Sequence, residues 1–282
     1  MNRKRLATFW EQYGTLCILV LIIVVFSGLS SDFMKPENIV QIFVQSAITI
    51  LVALGEFFAI LIAGIDLSVG SIVAITGILT AKLMVAGLHP ILAVLVGGIG
   101  VGIVLGAFNG MLVNFTGLHP FIITLGTNAI FRGLTFIISG ASPVFGFPYE
   151  FVLALTGNIW IVPVPVVLAL AVAGILWFVC AKTRLGRNIY ALGGNREAAF
   201  FSGIDVKLHT LIVFVISGLC SGLAGVLSTA RLGAAEPAAG QNFETYAIAS
   251  AIIGGTSFFG GKGRIPSVVV GGLIIGTISN GL

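Results

Sequence analysis

The chain of 282 residues is 57% hydrophobic and 9% charged, with a mean hydropathy of +1.14 and a formal net charge of +4. A bilayer core about 30 Å thick is crossed by about 20 apolar residues of helix, and runs of that kind fill the sequence nearly end to end, so the chain reads as an integral membrane protein. The polar gaps fall far short of the roughly 100 residues a soluble catalytic domain needs, which excludes an appended domain of that kind.

The apolar pattern predicts an all-α, polytopic protein with nine membrane segments, near residues 15–31, 45–63, 67–86, 91–113, 120–138, 161–181, 210–230, 244–260 and 265–282, forming a single domain over 1–282 with broken or re-entrant stretches. Arg3-Lys4-Arg5 followed by the apolar run from Thr15 to Leu29 resembles a signal peptide, but no small-x-small cleavage pattern follows, and a retained first helix is the simpler reading. Arg3, Lys4, Arg5, Lys182, Arg184, Arg187, Arg196, Lys207, Lys262 and Arg264, ten of the 14 Lys and Arg, fall on one side of this layout. By the positive-inside rule that side is cytoplasmic, with the N-terminus inside. The last apolar run, from Ile265, is still open at Leu282, so the chain is expected to be truncated there, one helix short of a cytoplasmic C-terminus.

Charges at membrane depth come early in the chain. A charged residue at the bilayer centre costs about 2.5–3.5 kcal/mol on insertion scales and usually faces protein interior or a water-filled path. Gly64-Ile65-Asp66-Leu67-Ser68-Val69-Gly70-Ser71 places a carboxylate, hydroxyls and glycines between two apolar runs, and predicts a helix break in which Asp66 and Ser68 cap the helix that follows. Asp66 then either gates a pathway or serves only as an N-cap. Glu56 and Arg132, with Thr127 and Asn128 beside the latter, either pair with each other or face a polar substrate. Glu56, Asp66, Ser68, Thr127, Asn128 and Arg132 are the candidate pathway or gating residues.

Gly87-Leu88-His89-Pro90 recurs as Gly117-Leu118-His119-Pro120 and predicts two helix-start turns with structural histidines. Gly98, Gly102, Gly106 and Gly110 form an i, i+4 ladder that serves close packing within the chain or, alternatively, a subunit interface. Cys17, Cys180 and Cys220 read as small core residues without metal-ligand or disulfide spacing. In the loop 182–209, Asn195 as N-cap and Glu197 in the first turn predict a short helix between Gly194 and Gly203. With little apolar surface of its own, it either lies on the membrane or docks on a cytoplasmic partner. Gly260-Gly261-Lys262-Gly263 mimics part of a phosphate loop but lacks the Gly at 256 and the Ser or Thr at 263, so no nucleotide site, catalytic residue or metal site is indicated.

The segments Gly64–Ser71, Thr183–Gly203 with Tyr190-Ala191-Leu192-Gly193-Gly194-Asn195, and Gly254-Gly255-Thr256-Ser257 through Gly260-Gly261-Lys262-Gly263-Arg264 resemble the permease subunits of bacterial ATP-binding-cassette (ABC) importers for monosaccharides, the ribose, xylose, arabinose, galactose and allose group. Gly55-Glu56-Phe57-Phe58, His119–Gly126 and Arg231–Pro237 are most similar to D-allose permeases. The resemblance implies a bacterial inner-membrane homodimer of about ten helices per full chain and a periplasmic sugar-binding protein. It also implies a separate cytoplasmic ATPase that uses ATP and Mg while this chain binds no cofactor. Asn195, Arg196, Glu197, Ala198, Ala199, Gly203 and Ile204 then match the segment that couples to the ATPase. Permeases for branched-chain amino acids or nucleosides, and an ion-coupled secondary transporter, are the alternatives.

Overall fold

The structure, a computed structural model, describes the backbone of residues 3–282 and the side chains of residues 14–282, so the side chains of Arg3, Lys4 and Arg5 lie outside the described residues. Five helices are long and apolar enough to cross a membrane: α2 (Pro36–Leu61), the continuous helix Pro90–Thr116, α6 (Pro120–Ser139), α8 (Val164–Lys182) and α11 (Val206–Leu232). Shorter apolar helices are the Gly14–Leu29 part of α1 (Arg3–Leu29), α3 (Val69–Val85), α12 (Phe243–Ile253) and α13 (Ile265–Gly281). Each predicted segment therefore has a helical counterpart, and the fold is all-α.

The centre of the bundle is α2. From Ala47 to Leu61 it is apolar all round apart from Thr49 and Glu56, the pattern of a helix surrounded by protein rather than of a surface helix. Every residue from Ser46 to Leu61 is buried, against α8, α11, α12 and α13. The outward faces of α6 and α8 instead expose Ile122, Ile130, Ile137, Ile175 and Phe178, as expected of helices that meet lipid.

The continuous helix begins as α4 (Pro90–Ala93), passes through a π-helical segment (Val94–Gly100) and goes on as α5 (Val101–Thr116). The glycine ladder resolves to packing within the chain. A Cβ on Gly102 would strike the carbonyl of Gly218, and one on Gly106 the carbonyl of Phe214, while Gly218 and Gly222 press on Gly102 and Gly98 in return. Helices in lipid gain attraction mainly from such close backbone approach. Overpacking a tight interface typically costs about 1–3 kcal/mol, so Gly106→Ala is expected to lower the thermal unfolding midpoint in detergent. Gly126→Ala, where a Cβ would meet nothing within 4 Å, should leave it unchanged.

Both Gly-Leu-His-Pro repeats are helix-start turns. His89 and His119 each accept the backbone N–H two residues on through Nδ1, at 3.3 Å, and proline opens the helix that follows. Cys180 and Cys220 are buried, but Cys17 is exposed on α1, facing outward rather than into a core.

Three regions differ from expectation. The second segment starts at Pro36 rather than near 45, with proline at the first turn, where its missing N–H has no helical partner to lose. Residues 140–163 hold a short helix, α7 (Tyr149–Thr156), and a two-residue hairpin, β1 (Asn158–Ile159) with β2 (Val162–Pro163). The segment expected over 244–260 stops at Ile253, because Gly255 takes φ +84 and turns the chain. At about 1.5 Å per residue α12 covers about half of a bilayer core, the short, interrupted geometry of a re-entrant element.

Candidate functional site

The break after α2 is built by backbone that has lost its helical partners. Ala63 adopts φ +58, and Gly64 sits against the Pro120 ring, where a Cβ would approach to 3.1 Å. The freed groups are taken up by side chains. The N–H of Asp66 donates to both Glu56 carboxylate oxygens, at 3.1 and 3.2 Å. The Leu67 N–H donates to Thr124 Oγ1 at 3.1 Å, and that hydroxyl donates to the carbonyl of Ile65 at 2.9 Å. Asp66 accepts from the Ser68 N–H at 3.0 Å, from Ser68 Oγ at 2.6 Å and from Ser217 Oγ of α11 at 2.7 Å. Asn109 of α5 donates to Ser68 Oγ at 2.7 Å. Glu56, Asp66, Ser68 and Asn109 are each 0% exposed, so in this conformation the cluster ties α2, α3, α5, α6 and α11 together and is closed to a passing solute.

Arg132 does not pair with Glu56. Its Nη1 donates to the carbonyls of Pro237, at 3.0 Å, and Ala239, at 2.7 Å. The guanidinium thereby holds the 233–242 connection, whose Gly240 presses on the backbone of Gly70 at the start of α3. A planar fork of N–H donors suits such carbonyl capture. Thr127 is buried and donates back to the Thr124 carbonyl at 3.3 Å, while Asn128 is half-buried on the same helix. The structure thus joins Glu56, Asp66 and Ser68 in one cluster and sets Arg132 apart, clamping a loop. Ser217, Asn109 and Thr124 were not anticipated; their signal was polar residues inside apolar runs, which in membranes commonly bond across helices.

At the other candidate site the predicted short helix is present as α10 (Arg196–Phe201), with Asn195 Oδ1 accepting the Ala198 N–H at 2.9 Å. Gly203 ends it at φ +82, and Ile204 donates its N–H to the Ala199 carbonyl at 3.1 Å. Arg196, Glu197 and Ala198 are exposed, whereas Ala199 is 3% exposed and points into the protein, where it belongs to the main apolar cluster. The exposed apolar residues are instead Phe200 and Phe201, at 64% and 84%. They line, with Arg196, Glu197, Ile204 and Lys207, a groove of about 740 Å³.

A second loop helix, α9 (Arg184–Gly194), was not foreseen. Thr183 caps it by accepting the Gly186 N–H at 3.2 Å. Tyr190 donates from its hydroxyl to the Gly263 carbonyl at 2.8 Å. Burial, with Cys180 nearby adding to it and Arg264 opposing it, pushes that hydroxyl up to about 12, so it stays a neutral donor across the physiological pH range. Gly193 lies so close to the Leu61 carbonyl that a Cβ would collide with it, and the same carbonyl accepts the Gly261 N–H at 2.9 Å. The loop helices, the Gly-rich turn 254–264 and the end of α2 therefore meet at one junction, five residues before Asp66.

Residues 38–282 match the family described as branched-chain amino acid transport system / permease component. The chain is 66% identical to the D-allose transport system permease protein AlsC of Escherichia coli (strain K12), over 98% of this chain and 85% of that protein. It is 42% identical to the ribose import permease protein RbsC of Bacillus subtilis (strain 168), over 96% and 85%, and 32% identical to the galactose/methyl galactoside import permease protein MglC of Escherichia coli (strain K12), over 100% and 89%. No solved structure matches. With the family match running from α2 through the helix break, the loop helices and the Gly-rich turn to the end of α13, the chain belongs to this family of transport permease components.

Proposed function

We propose that the chain is the membrane-spanning permease subunit of an ABC importer and moves a monosaccharide, D-allose foremost, from periplasm to cytoplasm. The observation that carries this reading is the 66% identity over 98% of the chain to a D-allose permease, flanked by ribose and galactose permeases at lower identity. The family description names branched-chain amino acids, but the relatives reported above are named for sugars.

Two copies of the chain form the pathway in the bacterial inner membrane, with the N-terminus cytoplasmic. A periplasmic sugar-binding protein delivers the substrate. ATP and Mg are used by a separate ATPase, and this chain contributes no catalytic residue. In support of that orientation, the basic loops meet at one end of the bundle, Tyr190 of α9 bonding Gly263 between Lys262 and Arg264. Closure of the ATPases pushes on α10, whose exposed Asn195–Ala198 turn, Phe200 and Phe201 form the contact; Ala199 and Ile204 hold the helix to the bundle, and Gly203 ends it. The push passes through α9 and Gly193 to Leu61 and so to the Glu56–Asp66–Ser68 break, which opens and closes the path. Thr127, Asn128 and the Arg132 clamp move with it.

The junction gives an expected outcome. Gly193→Val, which places a branched side chain against the Leu61 carbonyl, should leave the ATPase bound yet reduce sugar uptake at least about tenfold, since about 1.4 kcal/mol of misplacement is a factor of ten. Uptake and co-purification measured on the same preparation check it. The assignment as a whole is tested by a substrate panel in vesicles holding the permease, its ATPase and the binding protein. Labelled D-allose or a related monosaccharide should accumulate, and leucine and nucleosides should not; accumulation of leucine alone would overturn the sugar reading.

A further inference from the structure

A polar side chain facing the hydrocarbon region must find a partner within the protein or in water. Among the described residues scattered single atoms, such as Thr80 Oγ1 and Ser221 Oγ, lack one, but one place gathers several polar side chains without partners in the chain. A cavity of about 220 Å³ lies between α2, α11, α12, α13 and the 233–242 connection, and Gln45, Thr49, Ser228, Arg231, Tyr246 and Ser279 all line it. None of these six side chains makes a hydrogen bond to another described residue; Thr49 and Ser228 are each only 8% exposed and Gln45 is half-buried, while Arg231, Tyr246 and Ser279 are exposed. Six unpaired donors and acceptors from four helices thus converge on one space, whereas Asp66 and Ser68 spend their capacity on each other and on Ser217 and Asn109.

The position is as informative as the lining. α11 starts at Val206, beside α10, and carries Arg231 near its other end. At about 1.5 Å per residue the intervening 25 residues exceed a bilayer core of about 30 Å, so the cavity lies at the membrane face opposite α10. Its volume corresponds to about seven waters at about 30 Å³ each, and falls below the roughly 300–1,000 Å³ of drug-sized pockets. One sugar ring is of that scale; a disaccharide is not. Amide and hydroxyl groups, the Arg231 fork for adjacent hydroxyls, and the Phe243 and Tyr246 rings, 6.4 Å apart, for an apolar ring face together match a neutral polyol. No carboxylate lines the cavity, so an amino acid zwitterion would leave its ammonium without a counter-charge.

We propose that this cavity is the outer-face contact site for the transported monosaccharide, distinct from the closed Glu56–Asp66 break. The site rests on the importer reading given above. Its polar groups hold the sugar weakly as it leaves the binding protein, and the break gates its exit.

The test uses vesicles containing permease, ATPase and sugar-loaded binding protein, with labelled D-allose. A Gln45→Leu, Arg231→Leu double variant should assemble with its ATPase in wild-type proportion but lose at least tenfold of the uptake rate. Because that variant also changes packing, Ser279→Cys in a Cys17→Ser background gives a second readout. Millimolar D-allose should slow its modification by a small methanethiosulfonate at least threefold, and leucine should not. Wild-type uptake by the double variant, or labelling indifferent to D-allose, would overturn the site while leaving the importer reading intact. Absence of sugar uptake by the unaltered chain would overturn both.

Discussion

Phe201→Glu, with Phe200→Ala, is expected to release the ATPase from an otherwise intact permease, cutting co-purification at least tenfold. Phe201 is 84% exposed and Phe200 64%, at the end of a capped helix on a groove that the chain itself does not fill. Burying one such side chain against a partner is worth about 1.5–3 kcal/mol, and each 1.4 kcal/mol is about a factor of ten in affinity, so the pair carries roughly two decades or more. Interfaces concentrate their energy in aromatic anchors of this kind. Ala199 is the informative contrast. Because it is 3% exposed and points inward, a bulky charge there would disturb how α10 sits on the bundle, so a loss of association from Ala199→Arg would have a structural cause. If α10 instead lay on the lipid surface, Phe201→Glu would weaken membrane contact and leave ATPase association unchanged.

Asp66→Leu is expected to destabilise the bundle and abolish transport. The carboxylate is the shared acceptor for the Ser68 N–H, Ser68 Oγ and Ser217 Oγ, and each buried donor left without a partner costs about 1–3 kcal/mol. The sum, about 3 kcal/mol or more, is a large fraction of a typical folding free energy of about 5–15 kcal/mol. Asp66→Asn separates charge from hydrogen bonding. Its Oδ1 still accepts from Ser68, and its amide donates to a Ser217 hydroxyl that turns to accept. The Asn variant should therefore keep most of the thermal stability that the Leu variant loses. Thermal unfolding in detergent and uptake in vesicles measure the two effects, and wild-type behaviour of Asp66→Leu in both would contradict a structural role for the cluster.

Much of this was legible in the sequence because membrane insertion penalises anything out of place. The nine apolar runs, the polar octapeptide at 64–71 and the Asn195-x-Glu197 signal for α10 all stood out against a uniform background. What stayed hidden depended on backbone partners. Glu56 and Arg132 looked like a complementary pair, yet one accepts the Asp66 N–H and the other donates to the Pro237 and Ala239 carbonyls. A tally of charged side chains does not contain those groups. α9 has no counterpart in the sequence reading, which places a single short helix, between Gly194 and Gly203, in the loop 182–209. In the structure, Ile189 and Leu192 are buried and Gly193 reaches the end of α2. The inward phase of Ala199 was also beyond reach, since a six-residue helix is too short to show a periodic face.

The most direct measurement is sugar uptake into vesicles containing the permease alone or with its ATPase and binding protein, under an imposed proton gradient or with ATP. D-allose should accumulate only in the complete system supplied with ATP, and not from the gradient. Gradient-driven accumulation by the permease alone would contradict the importer reading.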